Sequence, residues 1–256
     1  LVKNEHREII YLHLHASDRF VISSGIGFQE FAFSIPKPLQ NLLLLKHRFD
    51  DGEFNMNTLL EFVTQENLPQ LLKEDVNGYG DFCWVDFDDE MGLDELEGYE
   101  IAELLYLGHA KAHLKPPFFR KLNNHYVYLS HDDGWFNKTY YRSLDTFFYM
   151  LTKLLPLKME RLKLERTWLG IKKKNEYPDV PVETLMRLSH LMAEGMTISL
   201  KHIQQTRSRL EIPIWVLGDF IHMDDMMESF LDTVGHEPEA KIIYQRKTRE
   251  WAIIQK

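Results

Sequence analysis

Residues 118 to 151 carry the pattern that most restricts the fold. Phe118 to Leu122 and Tyr126 to Ser130 flank an Asn123–Asn124 turn, and Asp132, Asp133 and Gly134 make a second turn into Trp135 to Tyr141. Runs of aromatic and aliphatic residues broken by such turns favour antiparallel hairpins. Ser143, followed by Asp145, then predicts the capped start of a helix rich in Phe147, Phe148, Met150 and Leu151. Strands closed by a helix suggest an α+β layer.

The rest of the chain extends this reading. Ile10, Leu12 and Leu14 alternate with Tyr11, His13 and His15, which predicts a strand, and Phe20 to Ser23 returns after a turn at Ala16 to Asp18. Pro36 and Pro38 introduce a leucine-rich segment expected to be helical through Leu45. Thr58 to Glu61 and Asn67 to Gln70 have capping-box spacing and predict two short helices, the second broken at Gly78 to Gly80. Phe82 to Phe87 reads as a strand and Asp94 to Leu107 as a helix. Pro156 is expected to kink or end the preceding helix. Beyond it the sequence predicts helices over Val182–Glu194, Leu200–Leu210 and Asp224–Thr233, a strand over Ile212–Leu217, and a hairpin pairing Lys241–Gln245 with Trp251–Ile254.

The expected architecture is α+β: an N-terminal mixed helix and antiparallel-sheet unit over 1–155, a basic helical connector over 156–178, and a smaller C-terminal α/β unit over 179–256. Residues 157 to 174 hold seven basic and two acidic residues, and Asn175 to Pro181 is the best linker candidate. No internal repeat is visible.

Charge narrows the function classes. The net charge of −9 argues against a dedicated nucleic-acid binder. Twelve carboxylates and no lysine or arginine lie between Glu74 and Glu103. Such a run persists only if solvated, paired with distant cations, or bound to a metal or basic partner. Cys83 is the single cysteine, so no intrachain disulfide forms, a usage that fits a reducing cytoplasm. No stretch is long and apolar enough to span a bilayer, and the first residues lack the apolar core of a signal peptide. A soluble cytoplasmic protein is expected.

Several constellations could carry chemistry. Asp86, Asp88 and Asp89 end the strand Phe82–Phe87, where carboxylates are placed to hold Mg²⁺ or Mn²⁺. His131, beside Asp132 and Asp133, could serve as acid and base for a divalent-metal-dependent hydrolase or phosphotransferase. His222 with Asp224 and Asp225 repeats those residue types, although Asp224 is explained as a helix cap. His13 and His15 share one strand face, a spacing that metals use. Leu12 to Asp18 resembles the opening motif of metal-dependent phosphoesterase barrels of the polymerase-and-histidinol-phosphatase type. That likeness covers about seven residues. The element order is not that of alternating strands and helices, so both histidines are assigned to the polar face of a half-buried strand. No Walker loop, Gly-x-Gly-x-x-Gly or nucleophile elbow occurs. Ser199 to Leu210 exposes Lys201, Arg207 and Arg209 and is the third reading, the second helix of a nucleic-acid-binding regulator. The leading expectation is a non-catalytic binding or regulatory protein with a protein partner or self-association, working through its acidic surface and the aromatic hairpin Trp135–Tyr141.

Overall fold

A computed structural model describes residues 8–74, 76, 80–113, 115–162 and 176–256. The hairpin β1 (Ile9–His15) and β2 (Phe20–Ser24) is followed by α1 (Phe28–Ser34), β3 (Asn41–Leu44), β4 (Glu53–Asn55), β5 (Leu60–Val63), α2 (Leu68–Leu71) and β6 (Cys83–Phe87). Next come α3 (Met91–Asp94), α4 (Gly98–Ala110), β7 (Tyr126–His131), β8 (Phe136–Tyr141) and α5 (Leu144–Arg161). The remaining elements are α6 (Val182–Met186), α7 (Ser189–Ala193), β9 (Met196–Ser199), β10 (Gln204–Gln205), β11 (Arg209–Val216), α8 (Met223–Thr233), β12 (Ala240–Gln245) and β13 (Glu250–Gln255). The class is α+β, as the sequence indicates.

All thirteen strands join one sheet in the order β13-β12-β11-β9-β1-β2-β8-β7-β6-β3-β5-β4, with β10 paired to β11 off that path. Strand alternation sorts side chains onto two faces. Ile10, Leu12 and Trp84 lie on the first face, in a core with residues of α1, α2, α5, α6 and α7. Tyr11, Val85 and Trp215 lie on the second, in a core with residues of α3, α4 and α8. With both faces covered, many strands are apolar throughout rather than alternating.

The hairpin β1–β2 joins strands from the two ends of the chain. Leu12 pairs with Met196 of β9, while Phe20 pairs with Tyr140 of β8. The sheet therefore runs without a break through the expected 1–155 and 179–256 units. Most of the basic connector, residues 163–175, lies outside the described residues, as do Gly78 and Tyr79 of the predicted break.

The sheet order also shows a duplication. The order β3–β6–β7–β8 is retraced by β9–β11–β12–β13: both proceed across the sheet in the same direction, and each crosses the second face by helix between its second and third strands, through α3 and α4 in the first and α8 in the second. Each ends in a hairpin of two six-residue strands around a four-residue turn, at 132–135 and at 246–249.

Several expected helices are replaced, each for a definable reason. Leu42, Leu43 and Leu44 form the central strand β3, buried on both faces, and a short apolar run of that kind does not distinguish strand from helix. Thr58 belongs to a turn instead of a helix cap. Its N–H donates to Asn55 Oδ1 at 2.8 Å, and Leu59 adopts a left-handed φ of 56° before β5. Phe118 to Leu122 is loop rather than strand, held by Asn124, whose Oδ1 accepts the Phe119 N–H at 2.7 Å. Residues 200–210 form turns and strand residues rather than a recognition helix, with the Thr206 hydroxyl donating to the Arg209 carbonyl at 3.2 Å. The helical basis for nucleic-acid binding is therefore absent.

Pro156 lies inside α5 without ending it. Proline lacks the N–H that would bond the carbonyl four residues back. That carbonyl, of Thr152, instead accepts the N–H of Val180 at 3.0 Å, which docks the segment leading into α6.

Candidate functional site

The acidic segment separates into paired and open carboxylates. Asp81 bridges Lys46 at 2.8 Å and also contacts Lys111. Burial opposes its charge, but the two lysines hold its pKa below the usual carboxylate range. Asp86 is buried at the end of β6. Its carboxylate accepts the N–H of His125 at 2.9 and 3.1 Å and that of Tyr126 at 2.6 Å. Burial pushes its pKa up to about 7 against the pull of these amides. Asp88 accepts from Lys37 Nζ at 3.0 Å and from Asn123 Nδ2 at 2.5 Å. Burial again opposes its charge, yet these partners hold its pKa low. Asp89 accepts the Met91 N–H at 3.0 Å, at the start of α3.

Asp86, Asp88 and Asp89 thus face separate partners from the protein itself. The candidate base His131 lies at the opposite end of β7 from the Asp86 contacts, five residues and roughly 16 Å along the strand. The two therefore do not share a cleft. The His131 ring packs against Phe136 in a tilted arrangement, and burial lowers its pKa. Asp132 reaches away from His131: its Oδ2 accepts the Met223 N–H at 2.7 Å, and its Oδ1 lies 3.3 Å from His222 Nδ1. It caps α8 from the β7–β8 turn. Asp132→Ala is expected to lower unfolding free energy by about 1 kcal/mol, as read by urea denaturation. An unchanged midpoint would show that the cap contributes nothing.

The hairpin aromatics are core rather than surface. Phe136, Tyr140 and Tyr141 are buried, leaving Trp135 half-buried beside them. Cys83 is also buried, and burial pushes its thiol up to about 11, which leaves no reactive thiolate at neutral pH.

The open carboxylates lie on α3 and α4. Glu90 and Glu95 are exposed and take part in no ion pair among the described residues. Glu97 and Glu100 share Lys121, at 3.3 and 3.0 Å. Around them stand exposed apolar side chains: Met91 at 67%, Tyr99 at 61% and Tyr106 at 59% of full exposure. Tyr99, Glu103 and Tyr106 fall at helical spacing on one face of α4, beside the stripe that buries Leu104 and Leu107. The β4–β5 turn extends this surface. Asn55 Nδ2 donates to Asp94 Oδ1 at 2.8 Å, and Asn57 Nδ2 donates to the carbonyls of Leu93 and Leu96 at 2.9 and 3.1 Å. Met56 and Leu59, both exposed, are thereby fixed beside α3. The result is a set of exposed apolar and aromatic side chains bordered by Glu90 and Glu95, which have no ion-pair partner among the described residues.

A second cluster lies across the second face from β1. Tyr11, His13 and His15 project together, with His13 Nδ1 3.0 Å from Asp219 Oδ1 and the two imidazole centroids 4.2 Å apart. Burial lowers the His15 pKa, followed in effect by His13. Asp219 was not recognisable beforehand: it lies 206 residues from His13, on a loop with no motif of its own.

No protein-family model, curated protein or solved structure matches the chain. Among the described residues, no helix is long and apolar enough to cross a membrane.

Proposed function

We propose that this protein is a non-catalytic binding and regulatory module. Its α3–α4 surface docks a protein partner through a basic, partly apolar segment. The observation that carries this reading is the coincidence of exposed Met91, Tyr99 and Tyr106 with the carboxylates of Glu90 and Glu95, which pair with no cation among the described residues. Tyrosine and methionine are enriched at interface cores, because they contribute large contact area with few polar groups to desolvate. A rim of one charge sign speeds encounter and selects an oppositely charged partner. The fixed β4–β5 turn limits the ordering cost of association.

The test is affinity capture at physiological salt, comparing wild type with Tyr99→Ala/Tyr106→Ala and with Glu90→Lys/Glu95→Lys. All four side-chain changes concern exposed positions, so stability should move by no more than about 0.5 kcal/mol for each. A basic protein enriched by wild type should be reduced at least about tenfold by each double variant, the equivalent of about 1.4 kcal/mol of binding. The charge variant should lose mainly association rate, and its deficit should shrink as salt is raised. Equal capture by all three proteins, or no enrichment by wild type, would remove the reading.

A further inference from the structure

We infer that His13, His15 and Asp219 form a binding site for one divalent transition-metal ion. The inference is independent of the α3–α4 surface and stands on how the loop Leu217–His222 is held over β1.

Strand alternation places Tyr11, His13 and His15 in a row on one face. The Tyr11 hydroxyl fixes the loop on both sides of Asp219, donating to the Gly218 carbonyl at 2.7 Å and accepting the Phe220 N–H at 2.9 Å. From the other side, the Gly195 carbonyl accepts the N–H of Leu217 at 2.8 Å and of Gly218 at 3.2 Å. The approach is so close that a Cβ on Gly195 would meet the Gly218 oxygen at 1.9 Å. Gly195 and Gly218 both have left-handed φ values, 78° and 111°, which glycine adopts without penalty. Asp219 is thus carried on a pinned segment, with its carboxylate delivered to His13.

The donor set fits an ion. One ligand atom from each residue lies within 4.8 Å of the others. Ligands held about 2.0–2.1 Å from zinc stand roughly 3.3 Å apart in a tetrahedron, so small side-chain rotations close the set. The His15 ring is steadied by stacking on Phe20, with centroids 4.2 Å apart and planes 23° from parallel. Its Nε2 is shielded from solvent and has no hydrogen-bond partner among the described residues, an arrangement buried polar atoms seldom keep without reason.

The surrounding charges are Asp18 and Asp219 on the negative side and Lys138 on the positive. Lys138 Nζ sits over the Phe20 ring at 4.1 Å and the Tyr140 ring at 5.3 Å, where the ring faces attract its charge. Two imidazoles and one carboxylate select Zn²⁺, Fe²⁺, Co²⁺ or Ni²⁺ over Mg²⁺ and Ca²⁺, which prefer all-oxygen sets. Three protein ligands leave at least one coordination position, and the exposed Asp219 borders solvent on that side.

The experiment is titration of the metal-free, full chain with Zn²⁺ by calorimetry and with Co²⁺ by visible absorption, for wild type, Asp219→Ala and His15→Ala. Asp219 is exposed, so its variant keeps the fold and remains informative if His15→Ala does not. Wild type should bind one ion per chain and melt at higher temperature with added Zn²⁺. Asp219→Ala should weaken binding at least about 100-fold and alter the Co²⁺ bands, while melting like wild type without metal. Equal Zn²⁺ affinity in wild type and Asp219→Ala would assign binding to other histidines and overturn the inference. Absence of one-to-one binding by wild type would overturn it as well.

Discussion

Glu30→Ala is expected to lower the unfolding free energy by about 3–5 kcal/mol, enough to abolish most of the stability of a typical domain. Glu30 is buried at the first turn of α1, where one oxygen accepts the Gly27 N–H at 3.1 Å. Its carboxylate also meets two cations of α5: Lys158 Nζ at 2.7 Å and Arg161 Nη1 at 2.6 Å. Lys158 is the decisive partner because its side chain is only 4% exposed, whereas that of Arg161 is half in water. Removing the carboxylate takes the Glu30 charge away from a buried ammonium, and the desolvation it no longer offsets outweighs the lost attraction. The exposed Arg161 pair should contribute no more than about 1 kcal/mol. Chemical denaturation of Glu30→Ala, Arg161→Ala and Glu30→Ala/Lys158→Met measures the split. The double variant should regain part of the loss, since methionine removes the buried charge while keeping most of the packing. A loss below about 1 kcal/mol in Glu30→Ala would mean that water or a further partner compensates the Lys158 charge.

The second large effect belongs to Asp86. Asp86→Ala removes the acceptor of the buried Tyr126 N–H, at about 1–3 kcal/mol, and of the partly buried His125 N–H, at less. The pH dependence has a definite sign. With the native carboxyl near 7 and the unfolded one near 3.9, the folded protein keeps a proton that the unfolded chain has released. The stability contributed by this group is therefore complete below about pH 4 and is lost as pH rises to about 7, at roughly 1.4 kcal/mol per pH unit. Asp86→Asn cannot titrate. The unfolding free energy of wild type minus that of Asp86→Asn should thus fall steadily between pH 4.5 and 6.5, which cancels the opposing contribution of buried histidines common to both. A flat difference would show that the amide donors keep Asp86 ionised throughout.

What the sequence disclosed was local order. The hairpin around Asp132 to Gly134 and the pairing of residues 241–245 with 251–254 were legible because alternation and turn chemistry act over a few neighbours. Misassigned segments depended on distant partners. Leu42 to Leu44 looks helical until β5 and β6 flank it, and Pro156 looks disruptive until Val180 takes up the orphaned Thr152 carbonyl. The duplication stayed hidden because its two halves share a path rather than residues: Tyr126 and Ala240 open equivalent hairpins.

The candidate sites divide in the same way. An excess of carboxylates was plain in composition, but which of them lie open was settled by Lys37, Lys111 and Lys121, all far along the chain. His13 and His15 were visible as a pair. Their third member, Asp219, is brought in only because β1 pairs with β9 and β9 with β11.

Zero-length carbodiimide cross-linking under native salt, read by mass spectrometry, tests the proposed docking surface most directly, because it joins a carboxylate to the lysine that touches it. Links are expected from Glu90 and Glu95 to lysines of a second protein, lost in Tyr99→Ala/Tyr106→Ala. Links from these two glutamates only to lysines of the same chain would contradict it.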